Sequence, residues 1–190
     1  LSNKIVTHNI VNYGTLEISG DVKFINAHLQ NSTNSVINIH DANLEQFLNS
    51  QSLITNKGQA NILRSTIKAD TLINNFPNAT VNLDQVTITS ENAIIYNNNN
   101  QLTINNSIIT AKNGLKIANI MSSLYNHISI NNSQFNGIDK SGTGIYIEKT
   151  MLENISSCSI TNSSFENYKI GVNYISQRSS TDTITNNQFL

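Results

Sequence analysis

The side chains best placed to do chemistry together are four polar residues on three similar short segments: Lys116, Tyr146, Glu148 and Asn173. The segments read GLKI at 114–117, GIYI at 144–147 and GVNY at 171–174. If each segment is a β-strand, alternation points its apolar residues inward and these four side chains outward. Exposed tyrosine rings can stack on sugars, and lysine and glutamate are residue types that transfer protons in active sites. We predict that the four side chains form a ligand-binding cleft.

The acidic residues are too scattered to predict a hydrolytic or calcium site. Glycoside hydrolysis needs two carboxylates that face one sugar bond across a fixed gap. Glu148 stands alone with Lys116 as its neighbour, which is too little to hold calcium well. His40 and Asp41 are adjacent, but no serine or cysteine is tied to them by sequence. The sequence therefore names no catalytic residue and predicts no metal site and no cofactor.

The composition argues against several classes of partner. The formal net charge is -1 and only 12% of the residues are charged, so the chain lacks the basic field that attracts nucleic acid or an anionic membrane. No run of 18 apolar residues predicts a transmembrane helix. The single cysteine, Cys158, excludes an internal disulfide. We expect no nucleic-acid partner and no membrane insertion.

Self-similarity is the strongest structural signal in the sequence. An apolar anchor residue just before an Asn-Asn-like pair recurs every 21 to 30 residues. The anchors are Ile18, Ile39, Ile62, Leu83, Ile104, Ile130, Ile160 and Ile184. A repeat of this length is typical of a solenoid.

Within each repeat the apolar residues alternate with a period of two, which predicts strands rather than helices. A further strand is indicated upstream of the anchors, where an apolar residue is followed two positions later by asparagine. We place these pairs at Ile10/Asn12, Leu29/Asn31, Ile54/Asn56, Leu72/Asn74, Ile95/Asn97 and Ile117/Asn119. Three short strands per repeat predict an all-β fold, a single-stranded parallel β-helix of about eight coils that spans roughly 38 Å. Residues 1–190 would form one domain.

The asparagine two positions after the anchor explains the repeated Asn-Asn pair. We place it at a sharp bend between two strands, because asparagine adopts the left-handed conformation more readily than most residues. Stacked amides can donate to and accept from one another along such a column. We predict a structural ladder in the second half of the chain: Asn106, Asn132, Asn162 and Asn186. Earlier coils place Gly20, Asp41, Arg64 and Gln85 in this column.

The segments ISINNSQFNGIDKSGTGIYIEK (128–149) and SITNSSFENYKIGVNYIS (159–176) resemble right-handed parallel β-helix repeats of the pectate-lyase-like superfamily. In the first half, IVNYGTLEI and LITNKGQANI resemble coils of bacterial surface adhesins and autotransporter passenger domains. The resemblance covers nearly the whole chain and implies right-handed coils, with a site on the outer face of one long sheet. The chain departs from the polygalacturonase-like hydrolases, because it lacks their N-T-D, D-D, G-H-G and R-I-K signatures.

The resemblance implies a secreted or surface-displayed, adhesin-like binding scaffold, with a glycan or another cell-surface molecule as its ligand. An alternative is a polysaccharide lyase or glycoside hydrolase domain, whose cleft would be flanked by the long turns at 119–126 and 149–157. A second alternative is a segment of a viral or phage fibre. Because the repeat stops midway at Phe189 and Leu190, we expect a fragment of a longer chain, with a flanking domain or an oligomer partner at its open strand edges.

Overall fold

The computed structural model describes residues 1–47, 52–97, 101–118, 127–149, 157–176 and 182–190. Over these residues the chain is a parallel β-solenoid of about six turns, without a helix in the described ranges. The fold class expected from the repeat, an all-β parallel β-helix, is thereby confirmed.

The described residues form 21 strands in one continuous hydrogen-bonded sheet. The strands are β1 (Ser2–Val6), β2 (Ile10–Asn12), β3 (Thr15–Ile25), β4 (Leu29–Asn31), β5 (Val36–Phe47), β6 (Ile54–Asn56), β7 (Gln59–Leu63), β8 (Thr66–Lys68), β9 (Ile73–Asn75), β10 (Thr80–Asp84), β11 (Thr87–Asn97), β12 (Gln101–Asn105), β13 (Ile108–Ala118), β14 (His127–Asn131), β15 (Gln134–Gly137), β16 (Thr143–Lys149), β17 (Ser157–Thr161), β18 (Ser164–Glu166), β19 (Ile170–Ser176), β20 (Thr183–Thr185) and β21 (Gln188–Phe189).

The strands line three faces, which we name A, B and C in the order in which they follow one another from the anchor strand of each coil. Face A holds the anchors and contains β7, β10, β12, β14, β17, β20 and the first parts of β3 and β5. Face B follows the bend and contains β1, β8, β15, β18, β21 and the neighbouring parts of β3, β5, β11 and β13. Face C contains β2, β4, β6, β9, β16, β19 and the second parts of β11 and β13.

The anchor residues stack in register on face A. Ile18 pairs with Ile39, and the same column continues coil by coil to Ile160 and Ile184. The turn count of about six is slightly lower than the eight coils expected. Ile184, at the end of the column, is 39% exposed.

The expected pairs on face C are correct in the early coils and shifted in later ones. Ile54 pairs with Ile73 rather than with Leu72, so Asn75, not Asn74, joins the asparagine column. Ile95 pairs with Leu115, which places Ile117 where asparagine was expected. The first of these shifts arises because both Leu72 and Ile73 are apolar and buried. The sequence pattern alone therefore leaves the register of β9 ambiguous.

A single apolar core runs through the centre of the solenoid. It is formed by the inward residues of all three faces, mainly isoleucine, leucine and valine. Phenylalanines stack in the later coils on face B, where the ring centroids of Phe135 and Phe165 lie 5.0 Å apart and those of Phe165 and Phe189 lie 5.3 Å apart. Burying such side chains stabilises the fold by roughly 2 kcal/mol each.

A buried amide ladder closes the inner side of face C. Asn12, Asn31, Asn56 and Asn75 are at most 8% exposed. Each Nδ2 donates to the Oδ1 of the next asparagine at 2.8 Å, from Asn12 through to Asn75. The same Nδ2 groups also donate to backbone carbonyls of the next coil, at Val36, Gln59 and Thr80. The ladder therefore satisfies buried amides that would otherwise be costly.

A second amide row lies on the outer side of face A and donates in the opposite direction. The Nδ2 of Asn82 donates to Asn61 at 2.9 Å, and that of Asn61 donates to Asn38 at 2.9 Å. The row ends at the carboxylate of Glu17, which accepts from the Nδ2 of Asn38 at 2.6 Å. Stacked amides thus reinforce the coil-to-coil strand pairing on the inner side of face C and on the outer side of face A.

Candidate functional site

The four residues predicted to form a cleft lie on the outer side of face C. Lys116 pairs with Tyr146, and Tyr146 pairs with Asn173, so these three form one column across adjacent coils. Glu148 lies two residues along β16, in the neighbouring column. Their apolar neighbours Leu115, Ile117, Ile145 and Ile147 are at most 2% exposed. The structure brings the four residues together, and their ligand binding stays a prediction.

The chemistry available on face C is limited. The hydroxyl of Tyr146 donates to Oε2 of Glu148 at 3.0 Å, and this hydrogen bond to a carboxylate raises the pKa of Tyr146. Within the described part of the chain, no ion pair joins Lys116 and Glu148. The cleft was expected to be flanked by the turns at 119–126 and 149–157, of which residues 119–126 and 150–156 lie outside the described residues. Among the side chains described on face C, the carboxylate of Glu148 therefore lies beside the phenol of Tyr146.

The predicted bend is present in every coil. The bend residues are Gly20, Asp41, Arg64, Gln85, Asn106, Asn132, Asn162 and Asn186, with φ between 44° and 65°. This conformation is accessible to glycine and tolerated by asparagine, but costs other residues about 1–2 kcal/mol. The column thus explains the preference for asparagine.

The predicted asparagine ladder is direct at one step. The Nδ2 of Asn132 donates to Oδ1 of Asn106 at 2.8 Å, and Asn106 in turn donates to Asp84 at 2.9 Å. Asn162 instead donates to Oδ1 of Asn131, at 3.0 Å. All four bend asparagines are solvent-exposed.

A concave groove of about 540 Å³ runs along this bend over the last four coils. One side is the row of exposed bend asparagines. The floor is the next residue of the chain, a serine buried to 4% exposure or less in three of the coils: Ser107, Ser133 and Ser163. The other side is the first residue of each face B strand, which we call the face B row: Ile108, Gln134, Ser164 and Gln188. None of the lining residues is charged.

The floor serines are fully engaged in holding the bend. The Oγ of Ser133 donates to the carbonyl of Asn131 at 2.9 Å and accepts from the backbone N–H of Ser107 at 3.2 Å. Ser107 and Ser163 repeat this arrangement. Since each serine joins two coils, the floor is structural.

The face B row, in contrast, has unused hydrogen-bonding groups. Among the described residues the side chains of Gln134, Ser164 and Gln188 make no hydrogen bond to protein, whereas their backbone N–H groups are bonded to the coil below. The three residues pair in register, one above another. Sequence reasoning missed them, although each follows the recurring asparagine–serine or asparagine–asparagine pair at a fixed offset.

Charged bend residues lie at the other end of the same column. The guanidinium of Arg64 forms two hydrogen bonds to the carboxylate of Asp41, at 2.7 and 2.8 Å. This contact lowers the pKa of Asp41 to about 2, with a smaller contribution from His40. His40 also lies 3.6 Å from Glu17. The adjacent His40 and Asp41 are therefore part of a surface ion cluster, and the structure gives them no partner nucleophile among the described side chains.

Another contact joins residues that are thirty positions apart in the sequence. Nδ1 of His127 lies 2.6 Å from Oγ of Ser157 in the next coil of face A.

In the described ranges, no group of three or more histidine, cysteine, aspartate or glutamate side chains could hold a metal ion. The same ranges contain no helix that could span a lipid bilayer.

Comparisons with protein-family models, with curated proteins and with solved structures found no match to this chain.

Proposed function

We propose that this β-solenoid is a surface-displayed or secreted scaffold that binds a neutral polysaccharide in the groove along the bend. The observation that carries the proposal is the lining of that groove, which offers amides and hydroxyls from four successive coils and no charged side chain. Sugar hydroxyls both donate and accept hydrogen bonds, as do the amides of asparagine and glutamine. An uncharged lining favours an uncharged ligand, because an anionic sugar would find no cation to pair with.

The apolar part of the groove also suits a sugar. Ile108 is 41% exposed at one end of the face B row, and it offers the C–H face of a sugar ring a surface to pack against. Ligand sites commonly combine such a surface with a few polar groups that fix orientation. Gln134 and Gln188 supply those groups without first breaking contacts within the protein.

Membership of the pectate-lyase-like superfamily, with right-handed coils, belongs to the same proposal. It is supported by the parallel solenoid and by the general right-handedness of parallel strand crossovers. The proposed location outside the cell and the proposed adhesin-like role rest on the sequence resemblance alone.

Polysaccharide cleavage on face C is the alternative function. It would use Lys116, Tyr146 and Glu148, but the described residues there include one carboxylate, whereas glycoside hydrolysis needs a pair. A lyase would need a base beside a charge-neutralising group, and among the described residues Lys116 and Glu148 form no ion pair. The groove therefore supports binding better than face C supports cleavage.

A glycan array read together with a depolymerisation assay tests the proposal. Wild-type protein is expected to bind neutral glycans and to release no new reducing or unsaturated ends, with or without calcium. The double variant Gln134→Ala/Gln188→Ala should weaken binding by about thirtyfold, because two hydrogen bonds of about 1 kcal/mol each are lost. The control variant Tyr146→Phe changes face C only and should bind as the wild type does.

Two results would contradict the proposal. Binding that survives in the double variant but is lost in Tyr146→Phe would move the site to face C. New sugar ends that disappear in Glu148→Gln or Lys116→Ala would show that the protein is an enzyme.

A further inference from the structure

We infer that the groove holds a linear, neutral polysaccharide with equatorial linkages, lying along the solenoid axis with one sugar unit per coil. This inference rests on the proposed function and makes it more specific. It concerns the orientation of the ligand and its linkage chemistry, which follow from how the lining residues repeat.

The lining repeats at the spacing of the coils. Gln134, Ser164 and Gln188 pair in direct register, so equivalent positions lie about 4.8 Å apart along the axis. A pyranose chain with equatorial linkages advances by nearly this distance per sugar, because one chair and its glycosidic oxygen span it. Each sugar would therefore meet one asparagine and one face B residue at every step.

A ligand lying across the coils would not use this arrangement. Within one coil the groove is only three residues wide, as Asn132, Ser133 and Gln134 illustrate. Along the axis, in contrast, it crosses four coils, or about 14 Å. Axially linked sugars form curved chains, which would leave such a straight row after one or two units.

An extended peptide fits the same groove less well. Its side chains return to the same side every two residues, about 6.6 Å apart, which does not match the coil spacing. A peptide strand would also need free backbone groups, yet the N–H groups of Gln134, Ser164 and Gln188 are bonded to the coil below. The geometry thus favours sugars over peptide.

The charged part of the bend bounds the groove on the N-terminal side. The amide of Asn106 donates to the carboxylate of Asp84. Two coils before Asn106 in the bend column lies Arg64, which is paired with Asp41. A neutral chain gains nothing by displacing this ion pair. In this chain the neutral lining accordingly extends from Asn106 to Asn186.

Oligosaccharide series of two to six sugars test the inference by titration calorimetry on the full chain. The probes are β-1,4-linked cello-oligosaccharides and manno-oligosaccharides, with α-1,4-linked malto-oligosaccharides as the axially linked comparison. We expect the affinity for the better β-linked series to rise severalfold with each sugar up to four and then to level off. At equal length the α-linked series should bind at least tenfold more weakly.

The variant Gln188→Ala removes one rung of the face B row and serves as the positional test. The affinity should then level off one sugar earlier, while trisaccharide binding stays unchanged. The control Thr66→Ala should bind as the wild type does, because Thr66 lies in the same column but outside the groove lining.

The possible failures are distinguishable. If groove variants weaken binding but affinity does not rise beyond two sugars, or the α-linked series binds best, the axial arrangement is wrong and the proposed function stands. If no neutral glycan binds in the array, or if an extended peptide library binds and is lost in the double variant, both proposals fail.

Discussion

Asparagine accounts for 34 of the 190 residues, and at the residue scale it does three physically different jobs. At the bends it adopts the left-handed conformation that most residues avoid. Inside face C its amide satisfies buried polar groups, and outside face A it links exposed strands. The same residue type therefore contributes very differently to stability at different positions.

The buried ladder gives the first prediction. Asn31 is fully buried, accepts from Asn12 and Ser35, and donates to Asn56 and Gln59. Asn31→Ala should lower the free energy of unfolding by about 3 kcal/mol, because several buried partners lose their hydrogen bonds at once. Equilibrium urea unfolding measures the change.

An exposed asparagine provides the matched control. Asn43 makes one side-chain hydrogen bond, to Asp21 at 3.3 Å. Asn43→Ala should cost less than about 0.5 kcal/mol. Equal losses for the two variants would contradict a structural role for the buried ladder.

The Arg64–Asp41 contact gives a pH-dependent prediction. The pKa of Asp41 lies at about 2, below its ordinary value of 3.8. Between these values the unfolded chain binds the proton more readily than the folded chain, so stability must fall as the pH decreases from about 4 to 2. Well above pH 4 the carboxyl group is ionised in both the folded and the unfolded chain, and its contribution to stability no longer changes with pH.

Arg64→Gln is the variant that tests this contact, because glutamine already occupies the equivalent bend position at Gln85. In the variant the pKa of Asp41 should rise toward 3.8, and stability should fall less steeply over the same pH range. Carboxyl NMR titration and urea midpoints at successive pH values measure both effects. Identical titrations in the two proteins would show that Arg64 does not hold the Asp41 carboxylate.

At the element scale, the solenoid depends on close contact between successive strands of face C. Gly114, Gly144 and Gly171 precede paired residues of that face. A Cβ atom at Gly144 would lie 2.6 Å from the carbonyl oxygen of Gly171 and 2.9 Å from Cδ1 of Phe165. The glycines therefore permit the strands to stack against the phenylalanine row.

Gly144→Ala should consequently destabilise the protein by about 1–3 kcal/mol, as overpacked substitutions do. Gly14→Ala is the control, because no atom lies within 4 Å of the added Cβ, and it should be neutral or slightly stabilising. Thermal unfolding of both variants measures the contrast. If Gly144→Ala were as stable as the wild type, the strands of face C could move apart without lowering the free energy of unfolding.

At the scale of the whole molecule, the repeat was sufficient to predict the architecture. The anchors from Ile18 to Ile184 share one column because apolar alternation and the left-handed bend act together in every coil. The pattern was not sufficient where two adjacent residues were both apolar, as at Leu72 and Ile73. There the register is decided by which neighbour completes the buried amide ladder, a contact between coils that local sequence does not encode.

The candidate site was less predictable than the fold. Alternation placed Lys116, Tyr146, Glu148 and Asn173 outward, and the structure stacks Lys116, Tyr146 and Asn173 in one column. The groove depends instead on how the bend curves and on which side chains keep free hydrogen-bonding groups. These properties arise from stacking, so Gln134 and Gln188 resembled ordinary surface residues until the coils were in register.

The two rows of hydrogen-bonded amides also have opposite polarities along the solenoid axis. Asn82, Asn61 and Asn38 all donate toward the N-terminal end, and Glu17 can only accept there, so reversing any one amide would require reversing the whole row. The buried row points the other way, held by backbone carbonyls such as that of Gln59. The dipoles of the two rows therefore oppose each other along the axis. Glu17→Gln would remove the fixed acceptor and leave the outer row free to adopt either polarity.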